Sequence, residues 1–282
     1  MDLSTHPIAL ALGLLVFPAL VAGLACLWGA RRGAVGGWGA SGLALGYFVG
    51  HCATLGGLPA LPPATSNDAL AWTVALALGA TLVGRRWGGI GFGAAAAVAG
   101  AGGALVLLRQ QVGGMGALEL VRDVGGAGLA VALGTIGMER ASREEGGGGF
   151  LLAALSAAVA TAAALTGSLT YGQFGATLAA VCVAAAVAGR LGSGADFSRS
   201  IALVAVAQSV LLGLAAERFS SLPPGARWCL AAAPACLVWG GRAEPCIRRR
   251  VLRWVWLALP LLIALALAWM HHRERSQSSY PY

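Results

Sequence analysis

The chain has 282 residues, of which 58% are apolar and only 11% charged, and its net charge of +8 is carried by arginines, since lysine does not occur. Soluble domains hold roughly 25% charged residues, so water cannot solvate the surface this composition makes, and a soluble globular class is excluded. The positive charge does not point to nucleic acid: the 19 basic residues lie mostly between apolar runs, where membrane-orientation signals lie, and no basic stripe with interleaved aromatics occurs.

A bilayer core takes roughly 20 apolar residues per helix, so ten spans consume about 200 residues and leave loops and tails of about 7 each. The expected architecture is therefore all-α, a polytopic transmembrane bundle of about ten helices (range 8–10) with short loops. It forms one domain over 1–270, followed by a short polar tail at 271–282.

The first span is expected at 8–29. Met1 to Pro7 lacks Lys and Arg, which argues for a retained helix rather than a signal peptide. The second, at 36–57, carries Gly42, Gly46 and Gly50 at four-residue spacing, a stripe that lets helix backbones approach closely. It also holds His51, with Tyr47 one turn earlier and Cys52 beside it. A histidine at that depth serves either as a hydrogen-bonded member of the bundle or as a proton relay. A haem would want a second mid-depth ligand, whereas His6, His271 and His272 lie at the chain ends, so no cofactor is expected.

The proline turn at 58–63 leads to spans at 69–84 and 88–108, separated by Arg85 and Arg86. The second of these repeats the small-residue spacing with Gly89, Gly93, Ala97 and Ala101. The fifth span, at 118–138, opens with Glu119, Arg122 and Asp123 on one helical face. Two readings stand. In one, Arg122 neutralises Glu119 and leaves Asp123 as a proton or cation contact. In the other, the triplet sits among lipid headgroups.

Spans at 149–167 and 171–189 follow the glycine run at 146–149, and the latter begins with Tyr171 and Gln173. The GSGADFS stretch at 192–198 precedes the eighth span, 200–217, which carries Gln208 and Ser209 and ends in Glu217-Arg218. After Leu222-Pro223-Pro224-Gly225 come spans at 226–241 and 251–270, separated by Pro245 and Arg248 to Arg250. The two proline turns resemble each other, each leading through a tryptophan into an Ala-rich helix, as an internal repeat or simply two similar helix starts would produce.

Loops after odd-numbered spans hold 13 arginines, against 6 on the other side. By the positive-inside rule both termini lie outside the cytoplasm, in a multi-pass cell (inner) membrane protein. The six cysteines show no CxxC pair and no metal-ligand spacing, so no metal is expected.

No catalytic motif occurs: there is no GxSxG, HExxH or GxxxxGK[ST], and an enzyme is not expected. Two functions remain open. One is a permease-like transporter of a small solute or ion, with its path near the second, fifth and eighth spans and His51, Asp123 and Gln208 as polar contacts. Its rival is a non-catalytic structural or assembly subunit, whose Gly and Ala faces pack against other membrane proteins or a second copy of the chain. The lipid bilayer is the partner common to both.

Overall fold

The computed structural model describes residues 12–31, 35–145, 148–191, 199–238 and 246–278. His6, Arg32, the stretch at 192–198, Arg242 and Pro245 lie outside the described residues. The described backbone is a bundle of ten α-helices with no strand. A π turn, Leu12–Val16, runs into α1, Phe17–Arg31; α2 is Val35–Leu55 and α3 is Ser66–Leu108. After a 3-10 turn at Val112–Gly114 comes the single turn α4, Ala117–Leu120, then a π turn at Val121–Gly125 and α5, Gly126–Glu145. The remainder are α6, Gly148–Leu165; α7, Leu169–Leu191; α8, Arg199–Phe219; α9, Pro224–Cys236; and α10, Cys246–Ser278.

Among the described residues, seven segments are long and apolar enough to cross a bilayer, which makes the chain a multi-pass integral membrane protein. Two of them, Ser66–Trp87 and Gly89–Leu108, lie within α3. A straight helix of 43 residues would be about 64 Å long, yet the two ends of α3 meet. Gln110 Nε2 donates to Ala64 O at 2.7 Å, and Arg109 donates to Pro63 O. Near the middle, a Cβ placed on Gly84 would sit 3.2 Å from Ala95 Cβ. The helix therefore reverses on itself within the glycine-rich stretch around Arg85 to Gly91. The direction change stands where the sequence expects a break at Arg85-Arg86, and the glycines at 88, 89 and 91 are residues at which a helix kinks sharply.

The start of α3 is fastened tightly. Thr65 Oγ1 accepts from Asp68 N at 3.2 Å and Asp68 Oδ2 accepts from Thr65 N at 3.0 Å, a reciprocal capping box. The same carboxylate accepts from Ala60 N at 3.1 Å, and Trp72 Nε1 donates to Ala60 O at 2.9 Å, so the proline turn is bound to the helix it precedes.

α8 is the axis of the bundle: 94% of its span is buried, and it touches α2, α3, α5, α6, α7 and α9. α1 and α2 form one hairpin, α6 and α7 another, and α1 lies against α7. α10 packs on α9 and α6 at the periphery, and only 28% of its span is buried. Its exposed Trp254, Val255, Leu259, Leu262 and Ile263 suit contact with lipid.

The last predicted spans need adjustment. α9 ends at Cys236 rather than 241, and its 13 residues reach about 20 Å, short of a hydrocarbon core of about 30 Å. It is held instead against α5. A Cβ on Gly134 would lie 3.0 Å from Pro234 Cγ, and one on Gly137 would strike the Pro234 carbonyl oxygen.

Glycine contacts explain how other helices approach. A Cβ on Gly42 would lie 2.8 Å from Ala25 Cβ, and one on Gly46 would lie 2.7 Å from Pro18 O, so both face α1 at backbone distance. Gly50 faces Pro18 and Thr177 of α7. In the second arm of α3 the close approach lies lower than Gly89 and Gly93, which have room: the nearest atoms to an added Cβ are Arg199 Nη1 at 4.0 Å and Ile136 Cδ1 at 3.9 Å. A Cβ on Gly100 would instead lie 2.7 Å from Ala127 O, and one on Gly128 would lie 2.9 Å from Ala97 O. The α3–α5 contact thus uses the Ala97 and Ala101 half of the stripe.

Candidate functional site

The five polar residues singled out from the sequence divide between two polar loci. Glu119, Arg122 and Asp123 belong to the first. The π turn at Val121–Gly125 turns Asp123 fully inward, at 0% exposure, while Glu119 and Arg122 remain 38% and 45% exposed at the side chain. The triplet straddles the boundary that the sequence left open.

The pairing within it is not the one spacing suggests. Arg122 Nε donates to Asp123 Oδ1 at 3.0 Å, and Glu119 pairs with Arg218 Nη1 of α8 at 2.5 Å. Asp123 also accepts from Arg218, through Nε at 2.8 Å and through Nη2, and from Arg227 Nη1 of α9 at 3.0 Å. Arg227 Nη1 in turn lies 2.5 Å from Glu217 Oε2. Three carboxylates and three guanidinium groups therefore neutralise one another.

A carboxylate has about four lone-pair positions, and four guanidinium N–H groups occupy those of Asp123. The network ties α4 and the π turn that follows it to α8 and α9 at one end of the bundle. The guanidinium of Arg227 lies 4.1 Å over the Trp228 ring, whose edge presses on Gly126. A cation over an indole face gains about 2 kcal/mol when desolvated.

His51 and Gln208 belong to the second locus, where α2, α7, α8 and the first arm of α3 meet. His51 is fully buried, its ring stacked on Phe174 of α7 with centroids 3.7 Å apart and planes at 10°. Its Nε2 is 2.8 Å from the Asn67 carbonyl oxygen. A carbonyl only accepts, so Nε2 carries the hydrogen, and in the neutral ring Nδ1 presents a lone pair.

That lone pair has no partner, and neither has the hydroxyl of Tyr47, one turn below and edge-on to the imidazole with centroids 5.8 Å apart. Asn67 Oδ1 is likewise buried and unpartnered. Above them Ser66 Oγ and Tyr171 OH share a hydrogen bond at 3.0 Å, linking α3 to α7. Deeper, Gln208 Nε2 donates to Thr73 Oγ1 at 3.2 Å, near the midpoint of α8. Ser209 and Ser156 of α6 lie 3.4 Å apart on another side of that helix.

Spacing alone does not reveal Asn67, Thr73 or Arg227. Arg227 was within reach of inference, since the arginine tally puts it on the same membrane side as Arg122 and Arg218. Asn67 and Thr73 read as ordinary residues of a helix start. Among the described residues, no group of three or more His, Cys, Asp or Glu side chains is placed to hold a metal ion. Comparison of the chain with protein-family models, with curated proteins and with solved structures finds no match.

Proposed function

We propose that this membrane protein is permease-like and passes a small solute along α8, between α2, the first arm of α3 and α7. The observation that carries this reading is the set of buried polar atoms without partners, Tyr47 Oη, His51 Nδ1 and Asn67 Oδ1. Each such atom costs about 1–3 kcal/mol of desolvation, a cost relieved whenever a polar guest is present. The Thr73–Gln208 pair lies six residues further along α3 than Asn67, about 9 Å deeper, and supplies the next polar step. Asp123, Glu119 and Arg122 act as the clamp at the end of the bundle and stand outside this path. By the positive-inside rule, the arginine distribution favours both termini outside the cytoplasm, and the His51 end of α2 then lies toward that same side.

The second reading, a structural or assembly subunit of a larger membrane complex, is favoured by the charge balance of the clamp. It leaves no ionised group free to couple transport to an ion. One pair of measurements separates the two. The protein is extracted gently through a C-terminal tag for native mass analysis. It is also placed in vesicles and challenged with osmotic gradients of glycerol, urea and ammonium chloride, with light scattering as readout. A permease gives a lone chain or homo-oligomer and a flux that Gln208→Leu reduces. A stoichiometric partner, or permeability equal to that of protein-free vesicles for every solute, overturns the permease reading.

A further inference from the structure

The turn inside α3 carries side chains that suit neither water nor hydrocarbon, and we propose that it docks on anionic phospholipid headgroups, holding this end of the bundle to a negatively charged leaflet. The proposal is independent of the permease reading, since it concerns only what the turn touches.

The two arms of α3 meet at Gly84, where an added Cβ would lie 2.9 Å from Phe92 Cδ2 and 3.2 Å from Ala95 Cβ. Residues 85–91 form the turn beyond that contact. Arg85 and Arg86 are exposed there, Trp87 is 66% exposed and Ile90 94%. The Trp87 side chain is seated on Gly91, where an added Cβ would strike it, so the indole is fixed on the turn. One membrane span ends at Trp87 and the next begins at Gly89, which puts the turn at the bilayer surface.

That surface is the one medium that accepts the whole set. In water, Trp87 and Ile90 would leave apolar area uncovered. In hydrocarbon, Arg85 and Arg86 would lose their solvation. At the interface the indole sits at headgroup level, Ile90 reaches the acyl boundary, and the guanidinium groups lie among phosphates. A guanidinium presents a planar fork of N–H donors that matches two phosphate oxygens.

Net charge then selects the lipid. The sequence has no Asp or Glu between Asp68 and Glu119, and among the described residues Arg85 and Arg86 form no ion pair. Beside the turn, Glu139 of α5 is held by Arg199 of α8, whose Nη1 lies 4.0 Å from a Cβ placed on Gly89. Exposed Arg140 and Arg190 add charge at the ends of α5 and α7 on the same side of the bundle. A zwitterionic headgroup brings its own cation beside the phosphate and leaves the arginine excess uncompensated. A headgroup with net negative charge compensates it, which corresponds to about fivefold local enrichment for each arginine engaged.

The test uses the full chain in phosphatidylcholine vesicles holding graded fractions of phosphatidylglycerol or phosphatidylcholine brominated near the headgroup end of the acyl chains. Quenching of Trp87 is isolated as the difference in emission between the unmodified chain and Trp87→Phe. Half-maximal quenching is expected at a fraction of brominated phosphatidylglycerol at least about fivefold lower than that of brominated phosphatidylcholine. In the Arg85→Gln/Arg86→Gln variant the two lipids should converge, with Trp87 still quenched by both. Raised salt should narrow the gap in the unmodified chain, which decides the matter if that variant does not fold. Equal quenching by the two lipids in the unmodified chain would mean that the turn meets lipid without selecting charge, and would overturn the proposal. Quenching by neither would place the turn in water or against another protein and overturn it equally. A preference that survives in the double variant would belong to other arginines and would remove the turn as its source.

Discussion

Replacing Asp123 by Asn tests the clamp most directly. The side chain keeps its shape and loses its charge, so the six-residue network passes from neutral to one positive charge in excess. Arg227, 3% exposed, then keeps only Glu217 as an anionic partner, while Arg218 keeps Glu119. The asparagine also turns an NH2 toward guanidinium groups that need acceptors. Breaking a buried ion pair from one side costs about 3–5 kcal/mol. The surviving Glu217 and Glu119 contacts argue for the lower end, about 3 kcal/mol. The assay is reversible unfolding in mixed micelles, read by tryptophan emission, because Trp228 lies against Arg227 and reports loss of the clamp itself. A double-mutant cycle with Arg227→Met completes it: the double variant also strands Glu217, 8% exposed at the side chain, so the quantity read is the coupling, and the two losses should fall short of additive by about 1 kcal/mol or more. If Asp123→Asn costs less than about 1 kcal/mol, the value expected of exposed pairs, or if the two losses simply add, the clamp does not hold these helices together.

The other predictions follow from the same geometry. Arg122→Gln, whose side chain is 45% exposed, should cost under about 1 kcal/mol in that assay, so a loss equal to that of Asp123→Asn would contradict the assignment of burial. Gly46→Ala should destabilise by about 1–3 kcal/mol, because its Cβ would press on Pro18 O at 2.7 Å. Gly93→Ala should be neutral or slightly stabilising, as the nearest atom is 3.9 Å away and alanine is the better helix former; the unfolding midpoints of the pair check both. Gln208→Leu should change stability by about 1 kcal/mol or less, since Thr73 Oγ1 retains its bond to Leu70 O at 2.7 Å. A large loss there would mark Gln208 as structural. A cysteine introduced at position 3 should be labelled by an impermeant reagent from outside the cell, and labelling only from the cytoplasmic side would reverse the orientation.

Much of this architecture was legible without coordinates, for a physical reason. Hydrocarbon requires every backbone polar group to be paired within its own segment, so apolar runs such as Gly148–Leu165 and Leu169–Leu191 could hardly be other than helices. Breakers such as the proline turn at 58–63 marked where they end. The face of α2 that meets α1 could also be read, because Gly42 and Gly46 carry no side chain to hold a neighbour off. Three things depended on the tertiary structure. Arg85 and Arg86 mark where α3 reverses, but how closely its two arms pack, as at Gly84 against Ala95, is set by the fold. The partners of Asp123 come from α8 and α9, 95 and 104 residues away along the chain, and local spacing weighs only neighbours such as Arg122 and Glu119. The unpartnered atoms around His51 were hidden for the same cause: whether a buried polar group is satisfied depends on which helices pack beside it, and that is decided by the fold as a whole.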